Sequence, residues 1–188
     1  MSKETLIKNN TIISNVPLLG FCAYGSGIGK TTLLTSLIPV LIRHGLRVSV
    51  IKHAHHSFDI DHPGKDSYRL REAGAVQMLL GSRHRWALMT ELSRMREQQP
   101  EEPGLAELLP HIDASLVDLI LVEGFKREPI PKIEVYRPNI NKPLLSSEDG
   151  HVIAVASDAA VDTSLPVLNL NDPEEIAVFI LQWLKSRH

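Results

Sequence analysis

Eight residues, Gly25-Ser26-Gly27-Ile28-Gly29-Lys30-Thr31-Thr32, carry the plainest chemistry in this chain. Their types and order suit the binding of phosphate groups. Glycines allow backbone N–H groups to turn toward phosphate oxygens. A lysine in the place of Lys30 reaches β- and γ-phosphates, and a hydroxyl in the place of Thr31 ligates Mg²⁺. The apolar run 17–23 before the loop reads as a buried strand, and Leu33 to Ile38 after it as the first turns of a helix. That helix start contributes unpaired N–H donors and a favourable dipole. Strand, glycine loop, Gly-Lys-Thr and helix together make a phosphate-binding loop. The strict spacing asks for glycine where Tyr24 stands. The loop is therefore non-standard at its first position or carries one extra residue, and Gly25 is expected to take over the turn.

A bound metal needs a second protein group. Glu123 follows four apolar residues in Asp118-Leu119-Ile120-Leu121-Val122-Glu123-Gly124-Phe125. Ligand sites of doubly wound sheets gather at the carboxyl ends of strands, where this acid falls. Glu123 is expected to hold Mg²⁺ through water or to orient an attacking water, which makes it the catalytic candidate. Gly124 would permit close approach of a phosphate. Asp118, at the other end of the strand, reads as structural. His53, His55, His56 and His62 raise a zinc possibility, but no Cys pair and no helical His-x-x-x-His accompany them. Asp59 or Asp61 could instead face the Mg²⁺–phosphate site, and Asp61 is kept as a metal candidate beside Thr31 and Glu123. Lys65, Arg69 and Arg71 suit either an anionic ligand or a solvated helix face. The Asn-Lys-x-Asp signature of many GTPases is missing, and Asn141-Lys142-Pro143-Leu144 is only a partial echo. Asp158 ends a later strand, where a carboxylate accepting two N–H groups would favour guanine.

These groups need a frame. Leu34, Leu37, Ile38 and Leu41 have helical spacing, with Pro39 inside the pattern as an expected kink and Gly45 as the stop. Residues 47–52 form a second strand with a buried parallel character. A long polar loop spans 53–66. Ser67 to Ala73 reads as a short helix capped by Asp66 or Ser67 and closed by Gly74. Strands follow at 76–80 and 86–90, then a charged, Pro-containing linker from Arg94 to Gly104 and a brief helix over 105–112. Further strands are expected at 118–125, 132–136 and 152–157. The last helix starts with Asp172 as N-cap, Pro173 at N1 and Glu175 completing a capping box. Its apolar face is Ile176, Phe179, Ile180, Trp183 and Leu184. Alternating strands and helices predict an α/β fold, P-loop NTPase-like, with a mostly parallel twisted sheet and helices on both faces.

The chain has 188 residues, enough for one domain, expected over 16–188 after a flexible tail at 1–15. Twenty Lys and Arg stand against 22 Asp and Glu, so no basic excess points to nucleic acid. No apolar run reaches the length of a membrane span, and residues 1–16 lack the apolar stretch of a signal peptide. A single cysteine, Cys22, precludes an internal disulfide and fits a reducing cytoplasm.

Four stretches give the chain a resemblance to the molybdopterin-guanine dinucleotide biosynthesis protein B family. They are Gly27 to Leu33; Ile51-Lys52-His53 with His55-His56 and Asp61-x-Pro63-Gly64-Lys65-Asp66-Ser67; Arg85 to Glu91; and Asp118 to Lys126. Val152 to Asp158 also fits. The resemblance implies a GTP-binding, Mg²⁺-dependent accessory protein, as a homodimer. Its implied partner is the guanylyltransferase that joins GMP to molybdopterin, with the pterin product as a further candidate ligand. By position it implies that Gly27, Gly29, Lys30, Thr31 and Thr32 contact phosphate or Mg²⁺, and that Glu123 lies on the metal side. Hydrolysis, if any, would be slow: no arginine finger or water-positioning glutamine is evident, though a partner subunit could supply an arginine. A small-molecule kinase and a metal-delivering GTPase remain the competing classes.

Overall fold

The computed structural model describes residues 7–8, 11–12, 14–54, 58–95 and 102–187. Among the described residues, ten strands and four α-helices follow in chain order. They are β1 (Ile7–Lys8), β2 (Thr11–Ile12), β3 (Leu18–Cys22), α1 (Lys30–Arg43), β4 (Val48–Lys52), α2 (Asp66–Glu72), β5 (Gln77–Gly81) and β6 (Trp86–Thr90). Then come α3 (Leu105–Leu108), β7 (Leu119–Glu123), β8 (Lys132–Tyr136), β9 (Val152–Ser157), β10 (Val167–Asn169) and α4 (Pro173–Lys185). Contacts divide the chain into two units, residues 1–53 with 104–188, and residues 54–103. The sequence reading expects one domain from residue 16. The segment between the two parts of the first unit has its own short helix and strands.

The first unit is built on a six-stranded sheet in the order β10-β9-β8-β3-β7-β4, parallel throughout. Every residue of β3 and β7 is buried, as the unbroken apolar runs require of strands covered on both faces. One core layer joins Leu19, Phe21, Leu119 and Leu121 to Leu37 and Leu41 of α1 and to Ile176 and Ile180 of α4. The opposite layer joins Leu18, Ile120 and Val122 to Leu105 and Leu109. The chain passes from β3 to β4 with β7 later filling the space between, then continues on the other side of β3 through β8, β9 and β10. This reversal beside β3 is a topological switch point, where ligands of such sheets bind.

The helices end as their residues dictate. After α1, Gly45 takes φ 86°, its N–H bonds the Ile42 carbonyl, and Leu46 N–H bonds Leu41. Pro39 lies within α1. At α4 the Asp172 carboxylate accepts from the N–H groups of Glu174 and Glu175. The capping box is not closed, however: Glu175 accepts instead from Asn169 N–H, and Asp172 N–H bonds the Asn169 carbonyl. The edge strand β10 escapes the sequence reading because three residues show too little periodicity. Within the expected tail, β1 and β2 pair antiparallel and Ile12 packs on the second core layer.

The second unit holds α2 and an antiparallel pair, β5 and β6, as a sheet of its own. The N-cap of α2 is Lys65, without a side-chain cap, in place of Asp66 or Ser67. The Ser67 hydroxyl is used elsewhere, donating to Asp61 at 2.9 Å. Arg71 is the hub of this unit. Its guanidinium donates to Glu91 at 2.9 Å and to Asp59 at 2.6 Å, and Asp61 lies 3.9 Å away. These acids hold the guanidinium firmly charged, Glu91 foremost. Of the charged linker expected at 94–104, residues 96–101 lie outside the described residues; Arg94 donates to the carbonyls of Arg71 and Ala75.

Candidate functional site

β3 delivers the glycine loop and α1 begins at Lys30. The left-handed positions are Gly27 at φ 75° and Gly29 at φ 111°. Gly25 is not one of them. It contributes its carbonyl, to which the Lys30 ammonium donates at 2.8 Å. The first ladder bond of α1 runs from Leu33 N–H to the Gly29 carbonyl at 2.8 Å. The N–H groups of Lys30, Thr31 and Thr32 precede that bond and point off the end of the helix. Tyr24 is partly exposed, with the Lys142 ammonium 5.1 Å from its ring centre. Partial burial of its ammonium lowers the Lys30 pKa from its usual value.

β7 places Glu123 against this loop. The Thr31 hydroxyl donates to Glu123 Oε1 at 2.6 Å. Lys52, the last residue of β4, brings its ammonium beside both. It lies 3.0 Å from Thr31 Oγ1 and 3.0 and 3.1 Å from the two Glu123 oxygens. Two carboxyl-end residues of the sheet thus meet Thr31 of α1, because β4 and β7 pair in register with Lys52 opposite Glu123. Glu123 is buried while Lys52 is half exposed. The convergence of a hydroxyl and a carboxylate on one cationic group shows that the donor set suits a cation. These residues fit Mg²⁺ held beside a phosphate: Thr31 and Glu123 would be its protein oxygens, and the metal would neutralise phosphate charge.

The backbone after Glu123 packs closely on His53. Gly124 has φ 90°, and a Cβ there would come 2.8 Å from the His53 Cβ. His53 N–H bonds the Glu123 carbonyl at 2.9 Å, and its ring stacks on Phe125 at 4.6 Å. Lys132, fully buried, pins the following loop. Its ammonium donates to the carbonyls of Lys126 and Glu128 and pairs with Asp149 at 2.8 Å.

Asp61 belongs to the second unit, where one oxygen accepts from Ser67 and from His62 N–H. His55 and His56 lie outside the described residues, and among the described residues no group of three His, Cys, Asp or Glu is arranged to hold a metal. Asp158 is ion-paired to Arg137, whose Nε donates to the Ile28 carbonyl at 3.0 Å. Arg137 and Lys52 are the two residues that sequence reasoning did not place in the site. In the sequence Lys52 ends a strand and belongs to one of the four family stretches, but nothing there assigns it a role. Arg137 follows β8 with no motif around it, and only the order of strands brings it to the loop.

The residues from β3 to Asp158 match one family model, described as molybdopterin guanine dinucleotide synthesis protein B, over residues 18–158. The chain belongs to this family. It is 48% identical over 174 residues to the molybdopterin-guanine dinucleotide biosynthesis adapter protein of Escherichia coli (strain K12), covering 92% of this chain and 96% of that one. It is 46% identical over 175 residues to the protein of the same name from Haemophilus influenzae, covering 93% of each. A crystal structure of molybdopterin-guanine biosynthesis protein B superposes with a TM-score of 0.68 at 28% identity, over 89% of this chain and 99% of that one. The fold of the synthesis protein B family is therefore the fold described above. The phosphate loop and Glu123 both fall inside the matched span.

Proposed function

We infer that this protein is an accessory factor in molybdenum cofactor biosynthesis, assisting the conversion of molybdopterin to molybdopterin guanine dinucleotide. The names of its relatives support the adapter role. The observation that carries a nucleotide-dependent form of that role is the meeting of Thr31, Glu123 and Lys52 at the mouth of the glycine loop. In this reading GTP lays its phosphates along residues 25–32, Lys30 reaches the β- and γ-phosphates, and Mg²⁺ sits between Thr31 and Glu123. Its partner is the guanylyltransferase, the working form is a homodimer, and the compartment is the cytoplasm. Hydrolysis, if present, is slow and centred on Glu123.

The test has two arms. Calorimetric titration with GTP and Mg²⁺ is expected to show saturable binding that ATP does not match. Addition of the protein to the guanylyltransferase is expected to raise the yield of the dinucleotide. Binding of neither nucleotide, with no effect on yield, would overturn the reading. Preference for ATP with acceptor-dependent ADP release would move the assignment to a small-molecule kinase.

A further inference from the structure

Beside the phosphate loop lies a cavity of about 340 Å³, lined in part by Gly29, Thr32, Ser36, Arg137, Leu170 and Asn171. Its volume is at the lower end of the range typical of small-ligand pockets, roughly 300–1,000 Å³. Gly29 and Thr32 belong to the Gly25–Thr32 segment, so the cavity adjoins the place where the phosphates would lie. Its far wall is the turn after β10, where Asn171 N–H is held by the Asn169 side chain at 2.9 Å and Leu170 is buried. Its near wall is Arg137, fixed between the Ile28 carbonyl and Asp158. Asp158 does not line the cavity.

We propose that this cavity seats the nucleoside half of the nucleotide, with Asn171 bonding the edge of the base and Arg137 covering the ribose end. The proposal rests on the nucleotide reading above and adds the place and the reader of the base. Three features favour that occupant. The cavity opens from Gly29 and Thr32, on the loop where the phosphates would lie. Its chemistry is mixed, as a nucleoside needs: the apolar Leu170, the hydroxyls of Thr32 and Ser36, and an amide that can both donate and accept. The planar Arg137 group suits contact with both a sugar–phosphate junction and a ring face. Asp158 then acts by positioning Arg137, and it is Asn171 that meets the base.

The test separates base from phosphates by comparing GTP with inorganic tripolyphosphate, each with Mg²⁺, in calorimetric titrations of the full chain. Asn171→Ala is expected to weaken GTP about 5- to 10-fold, the worth of one hydrogen bond, and to leave tripolyphosphate unchanged. Ser36→Trp places a ring in the cavity from an exposed helix position. It is expected to weaken GTP by about tenfold or more, again sparing tripolyphosphate. Unchanged GTP affinity in both variants, with tripolyphosphate still displacing GTP from the wild type, would overturn the cavity assignment and leave the phosphate site standing. Failure of the wild type to bind either ligand would overturn this proposal together with the nucleotide reading.

Discussion

Lys30 and Lys52 are both cations at the mouth of one loop, yet they are held differently. Lys30 reaches back to a single carbonyl, that of Gly25, and its ammonium is partly desolvated. Lys30→Ala should leave the melting temperature near that of the wild type and weaken GTP by about 10- to 100-fold, the worth of a charge-assisted contact. Titration calorimetry checks it, and wild-type affinity would show the phosphates lie elsewhere. Lys52 is instead spent on Glu123 and Thr31. Its ammonium stands where a divalent cation would bind the same oxygens. Lys52→Met should therefore strengthen Mn²⁺ binding measured without nucleotide. An unchanged Mn²⁺ affinity would mean that the ammonium and the metal do not compete.

At the level of elements, the turn leaving β7 is the most constrained part of the site. Gly124→Ala meets both an unfavourable φ of 90° and the His53 Cβ at 2.8 Å. Its expected cost is about 1–3 kcal/mol in denaturant unfolding. A parallel loss of GTP affinity should follow, because Glu123 precedes the strained bond. The other end of β7 is clamped to β4. Asp118 accepts from Arg47 at 2.7, 2.8 and 3.1 Å, and that guanidinium pulls its pKa from 3.8 down to about 2. A lowered folded-state pKa stabilises above the unfolded value and is lost as pH falls through the folded one. The clamp should thus be complete above about pH 4 and vanish toward pH 2. Asp118→Asn should flatten acid unfolding in that window, followed by circular dichroism; an identical acid profile would make the clamp energetically idle. Its exposure keeps the effect small.

Across the whole molecule, the central strand offers a built-in reporter. Cys22 is almost fully buried in β3 and contacts the Ile133 carbonyl. Burial pushes its thiol up to about 12. It should resist thiol reagents at neutral pH until the sheet opens, so the labelling rate should track global unfolding across a urea series. Fast labelling in native buffer would place the opening of β3 far below the global transition. The same burial explains why the sheet carries the site so steadily. β3, β7 and β8 have few exposed atoms, and their carboxyl ends are held by neighbours on both sides.

The local signals were written in the chain itself. Alternating glycines before Lys-Thr, an apolar run ending in Glu123 and an Asp-Pro start to the last helix each depend on near neighbours, and each was legible there. The parallel α/β fold followed from the alternation of such segments. Contacts across the sheet were not legible, because pairing distance is unrelated to distance along the chain. Only strand order brings Lys52 to Glu123 across 71 residues and Arg137 to the loop at Ile28 across 109. The conformation of Gly25, the separate antiparallel pair and the use of Ser67 by Asp61 were likewise decided by tertiary surroundings. A residue type states what a side chain can do; packing selects the neighbour with which it does it.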